Sequence, residues 1–270
     1  IRKISDEEMP DSDILIATAW RTARCAEMLS ALKGRKFYFI QHLETWNGPE
    51  KDVMETWKLP FRKIVISKWL KDIAEKIGEE ADYVPNGLDF GEFGIDIDPA
   101  ERDPKSVLML YSKLEFKGSS SGIDALRFLK GNGLELNVSF FGTCDPPENA
   151  GFDFEYFLSP VREDLRKLYN SNAIFAATSI SEGFGLTGAE ALMCGCGLVA
   201  SSNGGHLEYA VHNETALMFE PGDSRMLAEC IATLAEDCTL RQTLARKGNE
   251  EIRRFNWERS VELFEKALLK

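Results

Sequence analysis

Short runs rich in β-branched and aromatic residues alternate with helix-like segments along this chain from Asp13 onward. Such alternation is typical of parallel sheets whose strands are joined by crossover helices, so the predicted fold class is α/β. The alternation stops once, over residues 86–104, where proline, glycine and aspartate accumulate without periodicity. We therefore predict an interdomain linker over this segment and an α/β domain on each side of it.

The two predicted domains are unequal. Four strands are predicted before the linker and six after it, at residues 14–18, 37–41, 64–67, 83–84, 107–111, 136–141, 154–158, 174–178, 198–201 and 217–219. Because the first series is short for an independent domain and the sequence begins with Ile1, we expect residues 1–85 to be an incomplete N-terminal domain. Residues 105–255 have enough strands for a complete sheet. Apolar residues at helical spacing in residues 256–270 predict a C-terminal helix that packs back toward the first domain.

Composition and charge narrow the classes of partner. No apolar run approaches the roughly 18 residues that a membrane span needs, and the first ten residues are too charged for a signal peptide, so a cytoplasmic location is expected. The formal net charge of -12, without a basic block interleaved with aromatic residues, disfavours nucleic acid as a partner. The six cysteines lack C-x-x-C spacing, which predicts small core residues instead of disulfides or a zinc site.

The segment from Thr178 to Gly197 carries the strongest functional signal. It leaves a predicted strand, turns through glycines and enters a predicted helix, and Glu190 is the only formally charged residue between Glu182 and Glu208. A carboxylate on an apolar helix needs partners, because leaving it desolvated and unpaired would cost several kcal/mol. Ligand hydroxyls are suitable partners.

The same turn offers a site for an anion. The free N–H groups of Phe184, Gly185 and Leu186 are expected to open the helix, whose dipole favours negative charge there. Glu182 lies just before that point. A ligand could therefore place phosphate on the helix end while Glu182 and Glu190 each bind hydroxyls, and a sugar nucleotide contains all of these groups. Glu182 as a simple helix cap, with Glu190 paired to a core cation, is the plainer alternative.

The stretch Glu182-Gly-Phe-Gly-Leu-Thr-Gly-Ala-Glu190 resembles the Glu-x7-Glu signature of retaining GT-B glycosyltransferases, family four in particular. The resemblance covers residues 107–270 well and residues 13–106 more loosely. It implies a GT-B fold of two Rossmann-like domains, the first only partly present here. It also implies that Glu182 contacts the donor sugar and Glu190 the nucleotide ribose, with Gly183, Phe184, Gly185 and Leu186 completing this part of the donor site.

Three further residues follow from the resemblance. The family places an arginine and a lysine on the donor diphosphate; Lys117 matches the lysine, and Lys113 stands where arginine is usual, so a point charge replaces a bidentate fork. Solvated loop charge is the alternative reading of both lysines. His42 ends a predicted strand where the family commonly has a histidine lining the donor sugar, which makes it a catalytic candidate beside Glu182; a structural role is the alternative.

The function implied is transfer of a sugar from a nucleoside diphosphate sugar to an acceptor hydroxyl, with retention of anomeric configuration. No cofactor and no metal are expected, because Lys113, Lys117 and the helix end would neutralise the leaving diphosphate. The acceptor, whether a sugar, a lipid or a glycan, cannot be read from the sequence. An incomplete first domain would leave a sheet edge uncovered, so self-association through it is also expected.

The sequence also contains features that are typical of four other kinds of protein or site. Gly183-Phe-Gly185-Leu-Thr-Gly188 fits the G-x-G-x-x-G of a dinucleotide-binding oxidoreductase, although it follows the fourth strand of its domain. An inactive nucleotide-sugar-binding module is a non-enzymatic alternative. Gly118-Ser-Ser-Ser-Gly122 has the letters of a hydrolase nucleophile elbow, but five residues separate it from its strand. Asp96-Ile-Asp98 has the letters of a metal-binding D-x-D, but it lies in the predicted linker.

Overall fold

The structure is a computed structural model that describes residues 5–270, and these form two compact units. Unit 1 consists of the residues up to Gly87 together with Trp257–Lys270, and unit 2 consists of Leu88–Asn256. The elements of the described chain, in order, are β1 (Ile14–Ala17), α1 (Trp20–Glu27), β2 (Arg35–Ile40), α2 (Glu50–Trp57), β3 (Arg62–Val65), α3 (Lys68–Lys76), β4 (Ala81–Tyr83), β5 (Ser106–Leu110), α4 (Ser119–Gly131), β6 (Asn137–Gly142), β7 (Glu155–Leu158), α5 (Arg162–Ser171), β8 (Ile174–Ala177), α6 (Leu186–Met193), β9 (Gly197–Ser201), β10 (Leu217–Phe219), α7 (Ser224–Glu236), α8 (Cys238–Ile252) and α9 (Trp257–Leu269).

Unit 1 is built on a parallel sheet of strand order β1-β2-β3-β4 across the described residues. Its core contains Phe37 and Ile64 from the sheet and Ala267 from α9. Phe264 of α9 meets Phe39 of β2 edge to face, with ring centroids 5.4 Å apart. The last helix of the chain therefore buries its apolar face on the first sheet.

Unit 2 is built on a second parallel sheet, of strand order β10-β9-β8-β5-β6-β7 in the part of the chain described. The central strands β8 and β9 are buried along their whole length, as expected for a sheet covered by helices on both sides. The chain runs from β5 outward to β6 and β7, and then returns to the other side of β5 for β8. The direction of winding therefore reverses between β5 and β8. The α/β class predicted from the alternating pattern is confirmed.

Residues 88–104, which lie in the segment that the sequence predicts to be a linker, belong to unit 2. Arg102 is buried there and donates hydrogen bonds to the carbonyl oxygens of Tyr169, Asn172 and Cys194. The side-chain oxygen of Asn170 accepts hydrogen bonds from the backbone N–H groups of Asp96 and Ile97. A guanidinium satisfied by several carbonyls can be buried at little cost, and it fastens this irregular segment to the sheet.

The cysteines are all free thiols. Cys194, Cys196 and Cys230 are buried, as predicted, but Cys238 is exposed at the start of α8, so the expectation of a core position is wrong for that residue. Over residues 5–270, no helix has the length and apolarity required to cross a bilayer.

Candidate functional site

The ends of β5 and β8 define the place where unit 2 is best built to hold a ligand. The two strands are adjacent and parallel, so the loops that follow them leave the same edge of the sheet. Because the winding reverses there, the chain continues after β5 toward β6 and after β8 toward β9, on opposite sides of this pair of strands. In an open sheet such a reversal leaves a crevice at the strand ends. Open α/β sheets bind ligands at such reversal points, outside the carboxyl ends of their strands.

Two oppositely charged side chains meet at this crevice. Nζ of Lys117, from the loop after β5, lies 2.6 Å from Oε1 of Glu182, from the loop after β8. The same carboxylate oxygen accepts a hydrogen bond of 2.7 Å from the Ser179 hydroxyl. The side chains are 23% and 12% exposed for lysine and glutamate, so the pair is shielded but open to solvent on one side. Folding thus brings together two of the predicted donor-site residues.

Close backbone contact holds the two loops together. The Thr178 hydroxyl donates to the carbonyl of Lys117 at 3.0 Å, and the Ile180 N–H donates to the carbonyl of Phe116 at 2.8 Å. Gly118 has φ +63° and lies so near Thr178 that an added Cβ would overlap the threonine carbonyl oxygen. Glycine is therefore required here for both its conformation and its size.

Helix α6 begins at Leu186, after Gly185 in a left-handed conformation with φ +88°. The first N–H groups of the helix are consequently those of Leu186 and Thr187. The sequence had predicted that the N–H groups of Phe184, Gly185 and Leu186 open the helix. The Phe184 side chain is buried, with its ring centroid 5.5 Å from that of Tyr209, and the Tyr209 hydroxyl donates to the Gly185 carbonyl at 2.6 Å. Phe184 therefore anchors the turn, whereas Leu186 is exposed.

Glu190 lies one turn into α6 and is half-buried. The buried Tyr169 of α5 donates its hydroxyl proton to Oε2 of Glu190 over 3.0 Å. Burial raises the pKa of Glu190 to about 7, although the bond from Tyr169 opposes that shift. Burial likewise raises the pKa of Tyr169, which keeps the phenol protonated and able to donate. Unit 2 thus supplies Tyr169 as one hydrogen-bond partner of the Glu190 carboxylate.

A buried polar network supports the turn from the other side. His206 is buried, and its Nδ1 lies 2.9 Å from the side-chain nitrogen of Asn203 and 3.0 Å from the carbonyl oxygen of Ser201. Burial lowers its pKa, which keeps the imidazole neutral. A Cβ added to Gly185 would lie 2.5 Å from Cδ2 of His206, so the imidazole edge packs directly behind the turn that opens α6.

Two other predicted residues, Lys113 and His42, have different contacts. Lys113 is largely exposed, and its Nζ is 3.6 Å from a carboxylate oxygen of Asp145. His42 belongs to unit 1, just beyond β2, where its Nδ1 accepts a hydrogen bond of 2.8 Å from the Leu43 N–H. The proton of the neutral imidazole is therefore on Nε2.

The features that suggested other chemistries have structural uses. Asp96 forms an ion pair with Arg166, with Oδ2 2.7 Å from Nε, and Oδ1 of Asp98 accepts a hydrogen bond from the Ala100 N–H. Ser119 and Ser121 lie in the first turn of α4 and bond to backbone groups of Ser112 and Gly118, respectively. The G-x-G-x-x-G letters follow β8, whereas β5 is the first strand of unit 2.

The sequence did not identify three residues that support the site, namely Tyr169, Ser179 and His206. The isolation of Glu190 indicated that some partner was needed, but nothing in the local sequence pointed to a tyrosine 21 residues earlier. Ser179 lies next to the recognised signature and was detectable only by its proximity to Glu182.

Comparison with known proteins identifies similarity to glycosyltransferases. Residues 149–251 match the family model described as glycosyl transferases group 1. The chain is 30% identical over 162 residues to a D-inositol 3-phosphate glycosyltransferase of Saccharomonospora viridis, covering 60% of this chain and 35% of that protein. It is 34% identical over 207 residues to an uncharacterized glycosyltransferase of Methanocaldococcus jannaschii, covering 73% and 56%.

Among solved structures, the Anabaena protein HepE in complex with UDP and glucose superimposes with a TM-score of 0.78 at 19% identity, covering 94% of this chain and 76% of that chain. At that identity the likeness shows the fold, which is the GT-B type with two Rossmann-like domains. The chain matches about a third of the length of the Saccharomonospora protein and about half of the Methanocaldococcus protein.

Proposed function

We propose that this chain transfers a sugar from a nucleoside diphosphate sugar to an acceptor hydroxyl, with retention of anomeric configuration. The proposal proceeds from the match of residues 149–251 to the family model of glycosyl transferases group 1. The observation that carries the proposal is the contact between Lys117 and Glu182 at the reversal point of the unit 2 sheet. It places a cation for phosphate beside a carboxylate for hydroxyls, with Glu190 on the helix that follows.

Each group of the donor has a chemically suited partner. Lys117 and the N–H groups of Leu186 and Thr187 offer positive charge and hydrogen-bond donors to a diphosphate. Glu182 offers acceptors to sugar hydroxyls once Lys117 turns to the phosphate. Glu190, already bonded to Tyr169 through one oxygen, offers its other oxygen to ribose hydroxyls.

The leaving group in this reaction is a nucleoside diphosphate, whose negative charge increases as the glycosidic bond breaks. Lys117 and the α6 terminus would stabilise that charge in a partly shielded crevice, where electrostatic interactions are stronger than in water. Lys113, on the same loop, is a second candidate cation. We propose that these groups suffice without a metal ion, so EDTA should leave nucleotide binding and turnover unchanged; loss of either would overturn this part of the proposal.

His42 is proposed as a residue that lines the donor sugar, with the Nε2–H tautomer fixed by the Leu43 N–H so that it can donate to a sugar hydroxyl. No side chain among residues 5–270 is proposed as a nucleophile. Retention is proposed from the resemblance of the Glu182 to Glu190 segment to the signature of retaining enzymes.

The proposal is tested by calorimetry with UDP, GDP and ADP, followed by turnover with the corresponding glucose and mannose donors. Binding of one nucleoside diphosphate and release of free sugar or transfer product are expected, with the α-anomer formed first in proton NMR. Binding without any turnover would instead support a nucleotide-sugar-binding module. Binding of NAD in preference to every nucleoside diphosphate would support the dinucleotide reading and overturn the proposal.

A further inference from the structure

The carboxyl edge of the unit 1 sheet carries a group of aromatic side chains, of which only His42 has a proposed role at the donor sugar. The ring centroid of His42 lies 4.2 Å from that of Trp46 and 5.7 Å from that of Trp69, with interplanar angles of 88° and 82°. Trp46 comes from the loop after β2, and Trp69 from the first turn of α3 after β3. Two neighbouring strand ends thus bring two indole rings into contact with one imidazole.

Two hydrogen bonds constrain the backbone of the loop that carries Trp46. Glu44 adopts a left-handed conformation with φ 59°, which is uncommon for a residue other than glycine. Its Oε2 accepts a hydrogen bond of 2.7 Å from the N–H of Trp20 at the start of α1. The His42 imidazole is held in turn by the Leu43 N–H. These two bonds constrain the loop, so the aromatic side chains are presented in one arrangement.

The group is open to solvent. Trp46 is 46% exposed, although burying an indole is strongly favourable and most of this protein's tryptophans are more enclosed. The exposed residues next to His42, Trp46 and Trp69 in the sequence are polar: Gln41, Thr45, Asn47 and Lys68. An aromatic surface bordered by amide, hydroxyl and ammonium groups presents both a stacking face and hydrogen-bonding groups.

We propose that Trp46 and Trp69, which both contact His42, form a platform that binds a sugar ring of the acceptor, while His42 keeps its proposed place at the donor sugar. The inference rests on the proposed function and names the substrate class that the function leaves open. A pyranose has an apolar face of C–H groups that can pack on an indole, and a rim of hydroxyls that can bond to the polar neighbours. A lipid chain would require a continuous apolar groove, which the polar residues around Trp46 interrupt.

The test uses saturation-transfer NMR on the whole chain with methyl glycosides of glucose, galactose, mannose and rhamnose as probes. At least one glycoside should receive saturation from the protein, and Trp46→Ala should weaken its affinity at least fivefold. Trp46→Phe, which keeps a stacking ring, should restore most of the affinity. Trp257→Ala is the matched control, because Trp257 is 54% exposed in the same unit but lies on α9; it should leave glycoside binding unchanged.

Nucleotide binding is measured in the same samples, so failure of this proposal can be told apart from failure of the proposed function. Intact UDP binding with no glycoside signal, or with equal glycoside affinity in wild type and Trp46→Ala, overturns the platform and leaves the donor site standing. Loss of glycoside binding in Trp257→Ala to the same extent as in Trp46→Ala also overturns it. Glycoside binding that depends on Trp46 without UDP binding would retain a carbohydrate site but overturn the proposed transferase function.

Discussion

The two sheets present different chemistry at their carboxyl edges. In unit 2 the winding reverses between β5 and β8, and the loops at that point bring Lys117 and Glu182 together. In unit 1 the strands are ordered as they occur in the chain, and the loops after β2 and β3 bring Trp46 and Trp69 to His42. Parallel sheets of the same class thus support a charged crevice in one unit and an aromatic surface in the other.

The difference has an energetic origin. Shielded charges are tolerated only when they are paired, and in the unit 2 crevice each charge is the partner of the other. A ligand with negative and hydroxyl groups can exchange for these contacts. At the unit 1 edge the half-buried Glu44 is instead occupied by the Trp20 N–H, and the exposed groups are mainly rings. In this chain the polar site lies where the winding reverses, whereas the aromatic surface lies where the strands follow one another in chain order.

Disrupting the crevice itself should have the largest effect. Gly118→Ala forces a Cβ into the Thr178 carbonyl at φ +63°, so unit 2 should lose several kcal/mol of stability and UDP affinity should fall below detection. Gly133→Ala is the matched control, because Gly133 has φ +86° but no atom lies within 4 Å of the added Cβ. It should cost only about 1 to 2 kcal/mol, the strain of the left-handed conformation. Urea unfolding and calorimetry check both; equal losses would show that the approach of the two loops is unimportant.

Replacing the carboxylate at the crevice should separate sugar transfer from nucleotide binding. Glu182→Gln removes the proposed acceptor for sugar hydroxyls and should lower turnover by about 100-fold, the scale of one lost transition-state contact. UDP affinity should stay within about threefold, because Lys117 is then free of its ion pair. Binding of methyl glycosides at Trp46 should not change. A parallel loss of turnover and UDP affinity in a folded protein would contradict the assignment of Glu182 to the sugar.

Much of the fold could be predicted from sequence because its elements are marked locally. The alternating pattern predicts each strand end in both units to within two residues, and the helix predicted over 256–270 agrees with α9 to within one residue at each end. Strand order could not be obtained in this way. The approach of Lys117 to Glu182 joins residues 65 positions apart, and it depends on β8 returning to the side of β5.

The irregular regions were the hardest to predict. Residues 88–104 lack periodicity, yet buried Arg102 and Asn170 fix them to unit 2 through backbone groups, a kind of contact that leaves no pattern in the sequence. Glu190 illustrates the opposite case. Its isolation among apolar residues showed that it required partners, although the identity of Tyr169 as one of them needed the packing of α5 against α6.

The two lysines near the crevice should differ from each other. Lys117→Ala removes a shielded cation and should weaken UDP binding by about 10- to 100-fold, the range expected for a charge-assisted hydrogen bond. Lys113→Ala removes a largely exposed cation whose interactions are screened, and should weaken UDP binding by no more than about fivefold. Calorimetry at two salt concentrations distinguishes them, with the smaller effect disappearing at high salt. Equal losses would place Lys113 on the phosphate as firmly as Lys117.

A smaller effect than that of removing Lys117 should come from the titration of Glu190. Its pKa in the folded chain is about 7, above the ordinary value of 4.5, because burial disfavours the carboxylate. Folding therefore favours the protonated form, and the associated stability is complete below about pH 4.5 and lost as the pH rises through 7. Ribose hydroxyls are bound better by the ionised group, so donor affinity should change in the opposite direction and rise by up to about tenfold from pH 6 to pH 8.

UDP-glucose is the suitable probe, since its phosphates stay ionised throughout that range. Glu190→Gln is the control, because it cannot titrate and should bind with a flat pH profile, whereas glycoside binding at Trp46 should be flat in both proteins. If wild type and Glu190→Gln show the same rise in UDP-glucose affinity, Glu190 is not the group that titrates at the ribose, and the charged site of unit 2 must be limited to Lys117 and Glu182.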